Sequence, residues 1–271
     1  MWHRLVGATV RRERRRSGKS HGETAIVSRV SRALSGRARR LRRNGELADA
    51  ETLEAVATSE QMYVQALLRA LALLQQRNED GLALYHVIDQ IGFLGVAQAV
   101  PALMKIAADR SDAFGARSTS IQALSLIGSR RAVPTLVTIL LEEEDDWVRG
   151  MAANALMRIP DPRAKAALYE VATDREASPN VRGDAIEALT HHADDRRIPV
   201  LLEALHDPSA EVRFWAVFTL GQVAGSDVIP ELERLAATDD EVVPHWWAVG
   251  REAKDAIAAI RARSGDPDNP D

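Results

Sequence analysis

Apolar residues recur along this chain at the spacing of a helix face. From position 146 they fall at Val148, Ala152, Ala155, Leu156 and Ile159; from 180, at Val181, Ala185, Ala188 and Leu189; from 211, at Val212, Ala216, Leu220 and Val223. Steps of three and four put each set on one side of an α-helix. Between these stretches lie second apolar-periodic segments: VPALMKIAADRS from 100, VPTLVTILLEEED from 133, AKAALYEVATDR from 164, IPVLLEALHDP from 198 and IPELERLAATDD from 229. Pro101, Pro134, Pro199 and Pro230 sit in the first predicted turn of four of them. There the missing N–H would have had no helical acceptor.

The first kind of helix repeats. AFGARSTSIQALSLIG from 113 lays over the three stretches above, and the arginines Arg117, Arg149, Arg182 and Arg213 follow one another at 32, 33 and 31 residues. Each period therefore predicts a helix, a turn and a second helix. One such pair cannot bury its own apolar face, but a stack of pairs makes a continuous core. The predicted fold is all-α, an α-α superhelix of about five to six helical pairs. Aromatic residues at 4%, with Cys absent, agree with thin Ala- and Leu-rich helices packed at many similar interfaces.

The run of Pro-x-Leu, a terminal Asp, then Val-Arg followed by Ala and Ala-Leu resembles the short HEAT-like repeats first named from phycobilisome lyases, over roughly residues 82–263. The ankyrin Thr-Pro-Leu-His and tetratricopeptide signatures are absent. The resemblance implies a structural ladder of turn aspartates and Val-Arg arginines, with Asp207 against Arg213, Asp174 against Arg182, and Arg117 and Arg149 in the same row. It also implies that the Val-Arg helices line the concave surface. Positions not used by the core then form two rows: Gln122, Asn154, Glu187 and Phe218, and Thr119, Met151, Asp184 and Trp215. The groove changes from polar through acidic to aromatic toward the C-terminus. Phe214, Trp215 and Phe218 with Trp246 and Trp247 have a hot-spot composition for a protein partner. The alternative is that these rings pack on one another and seal the end of the stack; their accessibility separates the two.

The expected organisation is a basic arm over 1–45, an N-terminal helical cap over 46–96, the solenoid over 97–263 and a disordered polar tail over 264–271. GLALYHVIDQIGFLG from 81 resembles a degenerate second helix, and 61–76 a longer first helix. VVPHWWAVGREAKDAIAAIRAR reads as the closing cap.

Charge divides the chain. Residues 1–45 hold fourteen Lys or Arg against two Glu, a net of +12; removing these from totals of 35 and 39 leaves 21 basic against 37 acidic residues, a net of −16. From Glu23 to Arg43 the arm can form an amphipathic helix with Ile26, Val30, Ala33, Leu34 and Leu41 on one side and Arg29, Arg32, Arg39, Arg40 and Arg43 around the rest, ended by Asn44 and Gly45. Such a segment suits anionic lipid, nucleic-acid phosphate or an acidic protein groove, including the chain's own body. A disordered extension and an overcalled translation start are the plain alternatives.

Candidate chemistry is thin. Without Cys there is no disulfide, thiolate nucleophile or thiolate zinc site. No run of eighteen apolar residues occurs, the most apolar stretch, Val64 to Leu74, carries Arg69, and Arg11 to Arg16 interrupts any signal-peptide core, so the expected location is cytoplasmic. His191 and His192 before Asp194 and Asp195, and His206 before Asp207, have metal-ligating residue types, yet they fall where helix ends and turns favour them anyway. The His-Glu dipeptide that builds the di-iron centre of the HEAT-repeat enzyme deoxyhypusine hydroxylase is absent, as are GxSxG, His-Glu-x-x-His, Walker and GxGxxG motifs. No catalytic, cofactor or metal residue is assigned and no small-molecule substrate is inferred. The expected function is a non-catalytic protein-interaction scaffold with a protein partner. The alternatives are an anionic partner, nucleic acid or membrane, bound by residues 1–45, or a lyase or chaperone-like subunit of the phycobilisome-lyase type.

Overall fold

The computed structural model describes residue 62 and residues 64–75, 82–110 and 114–264. The basic arm, most of the span from 46 to 63 and residues 265–271 lie outside the described residues. A helix α1 over 64–75 is followed by α2 (Leu82–Phe93), α3 (Val100–Ala108), α4 (Phe114–Ile127), α5 (Val133–Glu142), α6 (Asp146–Met157), α7 (Pro162–Thr173), α8 (Pro179–Ala188), α9 (Arg197–Ala204), α10 (Ala210–Val223), α11 (Ile229–Thr238) and α12 (Val249–Ser264). The fold is an all-α, HEAT-like solenoid.

Two local signals set the helix boundaries. At N-termini, short polar side chains satisfy N–H groups that lack a helical acceptor: Asp145 accepts from Trp147 N at 2.9 Å and Val148 N at 3.2 Å, and Asp161 from Arg163 N at 2.9 Å. Prolines hold the first turns of α3, α5, α7, α8 and α11. At the end of α2, Gly95 takes φ 62°, Val96 N returns to Ile91 O at 3.0 Å and Gly95 N to Gly92 O at 3.0 Å. This left-handed close is one that a residue with a Cβ resists.

Helices α2, α4, α6, α8, α10 and α12 form one row, each packed on the next, and every intervening helix from α3 to α11 packs against the row helix that follows it. The repeated apolar positions make the spine. Val148, Ala152, Ala155, Leu156, Ile159, Val181, Ala185, Ala188, Leu189, Val212, Ala216 and Leu220 are buried, and Val223 is half-buried. Burying each larger side chain contributes on the order of 1.5–3 kcal/mol. The α2 segment differs from its sequence reading: it packs chiefly on α4 and so heads the row as a first-type helix. Ser264, expected in the tail, closes α12 by donating to Ile260 O at 3.0 Å.

The arginine ladder exists with other pairings. Arg182 pairs with the carboxylate of Asp207, and Arg213 pairs with Asp239 at 2.7 Å and Glu241 at 2.8 Å. Arg117 pairs with Glu143. Each of these arginines bonds the turn one unit further along the chain, not the turn beside its own helix. From the near turn come main-chain acceptors: Arg213 donates to Asp207 O at 2.8 Å, Arg149 to Leu140 O at 3.0 Å and Arg117 to Ala107 O at 3.3 Å. The expected carboxylate pairs Asp207–Arg213 and Asp174–Arg182 are therefore not formed. Asp174 is exposed and accepts from Glu176 N at 3.0 Å, capping its own turn. In Arg117 and Arg213 the carbonyls ending the preceding helix occupy the near side of the guanidinium, and the carboxylate facing its far side belongs to the next layer.

Candidate partner-binding face

The row helices differ from one another most at the positions the core leaves over. Gly150 and Gly183 directly follow Arg149 and Arg182, and each lets a side chain from the next row helix settle onto backbone. A Cβ on Gly150 would collide with the Asp184 carboxylate, and one on Gly183 with the Trp215 indole. Asp184 and Trp215 are thus held down on α6 and α8 respectively, both half-buried. Asn154 donates from Nδ2 to Asp184 Oδ1 at 3.3 Å and to Gly150 O at 3.0 Å, so Asn154 and Asp184 form one polar unit across α6 and α8.

Burial pushes the Asp184 carboxyl up to about 6, against the hydrogen bond from Asn154 and with help from the charge of Glu211. Glu211, in the first turn of α10, is also raised by burial. The Asn180 amide, oriented as its neighbours require, donates to both Glu211 oxygens. Glu211 was not singled out from sequence. The signal was there: Trp147, Asn180 and Glu211 each precede the buried valine of their repeat, forming a third row at the helix N-termini. Trp147 in that row is 61% exposed. Glu187 is half-buried one turn beyond Asp184.

The aromatic end is a single packed cluster. Phe214 is 1% exposed and lies beneath Trp215, Trp246 and Trp247 at ring-centroid distances of 5.5, 5.6 and 6.0 Å. Phe214 is therefore corrected from a groove residue to part of the core, because Trp215 of its own helix and the loop carrying Trp246 and Trp247 pack over it. Above it Trp215 meets Phe218 at 5.5 Å and Trp246 at 5.4 Å, both edge to face, the arrangement the ring quadrupoles favour. Trp246 is 37% exposed, while Trp215, Phe218 and Trp247 are half-buried. The cluster both seals the stack and presents ring surface.

A fastened loop carries the two tryptophans. Val242 bridges Ala248, Gly250 N donates to Asp239 O at 2.7 Å, Trp246 N donates to Val243 O at 2.9 Å, and His245 takes φ 67°. A non-glycine residue in the left-handed region is costly unless its surroundings fix it. Trp247 Nε1 donates to Glu252 Oε2 at 2.8 Å, and Arg251 stacks over the Trp247 ring at 4.9 Å.

The histidines do not converge. His192 is buried, its Nε2 at 3.0 Å from Leu156 O, and burial lowers its pKa. His206 is exposed beside Glu231 at 3.6 Å. Among the described residues no three His, Asp or Glu side chains gather as a metal-binding group. Nor is any described helix long and apolar enough to cross a membrane. Away from the row, Tyr169 donates to Asp194 at 2.5 Å under the Arg196 guanidinium, 4.3 Å from its ring.

The family model described as HEAT repeats matches residues 67–150, 112–178 and 172–250, and the chain belongs to that family. Among solved structures it is similar to the complex of CpcE and CpcF of phycocyanin lyase from Nostoc sp. PCC7120, with 28% identity, 70% of this chain and 75% of that chain covered, and a TM-score of 0.49. It is also similar to human deoxyhypusine hydroxylase in complex with glycerol, with 20% identity, 77% of this chain and 91% of that chain covered, and a TM-score of 0.30. Comparison with curated protein sequences gives no match.

Proposed function

We propose that the chain is a non-catalytic scaffold that holds a protein partner along the face of its row helices. The solenoid over 97–263 does the holding, and 46–96 caps it. The observation that carries this reading is the half-exposed ring surface of Trp215, Phe218 and Trp246 continuing into the carboxylates of Asp184 and Glu187. Aromatic rings anchor interfaces because they bury much area for little lost conformational freedom, and a polar rim fixes register. Ladder arginines Arg117, Arg149, Arg182 and Arg213 keep the layers in register and do not touch the partner.

The test is affinity capture with the full chain, wild type against Trp215→Ala/Phe218→Ala, at equal helicity by circular dichroism. The scaffold reading expects one or more proteins held by wild type to drop at least about tenfold in the variant, a loss of roughly 1.4 kcal/mol or more. Identical captured sets, or turnover of a small molecule by the purified chain alone, would refute it.

A further inference from the structure

Among the described residues neither Asp184 nor Glu211 forms an ion pair: Asp184 accepts from Asn154, and Glu211 faces Asn180. Arg251 lies over the Trp247 ring, on the far side of the cluster from these two acids in sequence. Carboxylates beside upturned indole and phenyl rings make a surface that fits a guanidinium better than an ammonium, since a guanidinium pairs with a carboxylate and stacks on a ring at once. Apolar side chains fit the same rings.

We propose that the acidic and aromatic face formed by Asp184, Glu187, Glu211, Trp215, Phe218 and Trp246 is the seat of the chain's own basic segment, residues 23–43. This rests on reading that face as the binding surface and names what covers it before a partner arrives. Three facts select this occupant. Its charge is complementary: residues 23–43 hold seven Arg against one Glu, a net of +6, and residues 46–271 carry a net of −16. Its pattern is complementary too, with Ile26, Val30, Ala33 and Leu34 on one side for the rings and Arg29, Arg32, Arg39 and Arg40 around them for the acids. It belongs to the same chain, so its docking does not carry the cost of bringing two molecules together. A partner must then displace it, and an acidic or Arg-accepting patch on that partner could take the freed segment.

The test places a benzophenone amino acid at Leu34 of the full chain and maps photo-crosslinks by mass spectrometry. Crosslinks to residues 184–218 or 246–247 are expected, with a yield independent of protein concentration. That yield should fall at least about tenfold in Arg29→Glu/Arg32→Glu/Arg39→Glu/Arg40→Glu, while Asp174→Asn, on an exposed turn, leaves it unchanged. Crosslinks scattered elsewhere, a yield that rises with concentration, or full yield in the charge-reversed arm overturns the proposal. So does crosslinking only to added duplex DNA or anionic vesicles, which would assign the arm to an anionic surface. The scaffold reading fails separately. If no crosslink reaches this face yet capture still depends on Trp215 and Phe218, only the self-docking proposal falls. If the crosslink forms and capture ignores those rings, only the scaffold reading falls.

Discussion

Asp184 shows how one residue can work against the fold it sits in. Its carboxyl is pushed up to about 6 by burial, against an ordinary value of 3.8. The folded chain therefore holds this proton more tightly than the unfolded chain. Stability from this group is greatest below the unfolded value, falls as pH rises toward 6, and stays diminished above it. Asp184→Asn keeps an acceptor for Asn154 and removes the charge. The variant should be more stable than wild type at pH 7 by about 1–3 kcal/mol, at most about 1.4 kcal/mol for each unit of displacement. The gain should vanish at about pH 4. Urea midpoints at the two pH values, taken in about 1 M salt to screen the arm, would show it; equal midpoints at pH 7 would mean that the carboxylate is solvated. Gly183 and Trp215 form the other residue-scale pair. Gly183→Ala drives a methyl into the indole and should cost about 1–3 kcal/mol. The same change made in a Trp215→Ala background should cost several-fold less. Additive losses would show that the two residues do not touch.

At the scale of elements, the arginine staples decide how one helical pair is registered on the next. Arg182 and Asp207 are both buried, so deleting the acid strands a guanidinium. Asp207→Ala should cost about 3–5 kcal/mol, whereas Asp174→Ala, on an exposed turn, should cost under about 1 kcal/mol. Thermal unfolding of the two variants checks the contrast, and equal losses would restore the pairing of each arginine with its own turn. The period of the chain made the helices and their buried sides legible, because a side chain's position on a helix depends only on local spacing. It did not reveal which of two flanking turns an arginine reaches, because the turn nearer in sequence is not the one whose carboxylate it meets, and only the stacking offset between layers decides the pairing. The same limit moved Phe214 inward. Phe214, Trp215 and Phe218 look alike in sequence, yet consecutive helical positions lie about 100° apart, and only the loop carrying Trp246 and Trp247 settles which ring is covered.

Across the whole molecule, the aromatic and acidic face is legible as residue types at repeat offsets, while its depth is not. That Asp184 sinks onto Gly150 and Trp215 onto Gly183 is a property of two neighbouring helices together, and no single repeat encodes it. The same neighbour logic governs stability. In a stack each layer touches only the layers beside it, so damage should spread by contact and fade with distance. Leu156 is fully buried in α6, at the middle of the row. Leu156→Ala should cost about 2–5 kcal/mol. By amide hydrogen exchange, the lost protection should fall mainly in α6, α4 and α8, with α12 much less affected. His192 gives an internal check, because its ring meets the Leu156 carbonyl and its helix end should loosen with α6. A protein with one compact, undivided core would instead lose protection in α12 as much as in α4. That result would remove the elongated spine on which an extended binding face depends.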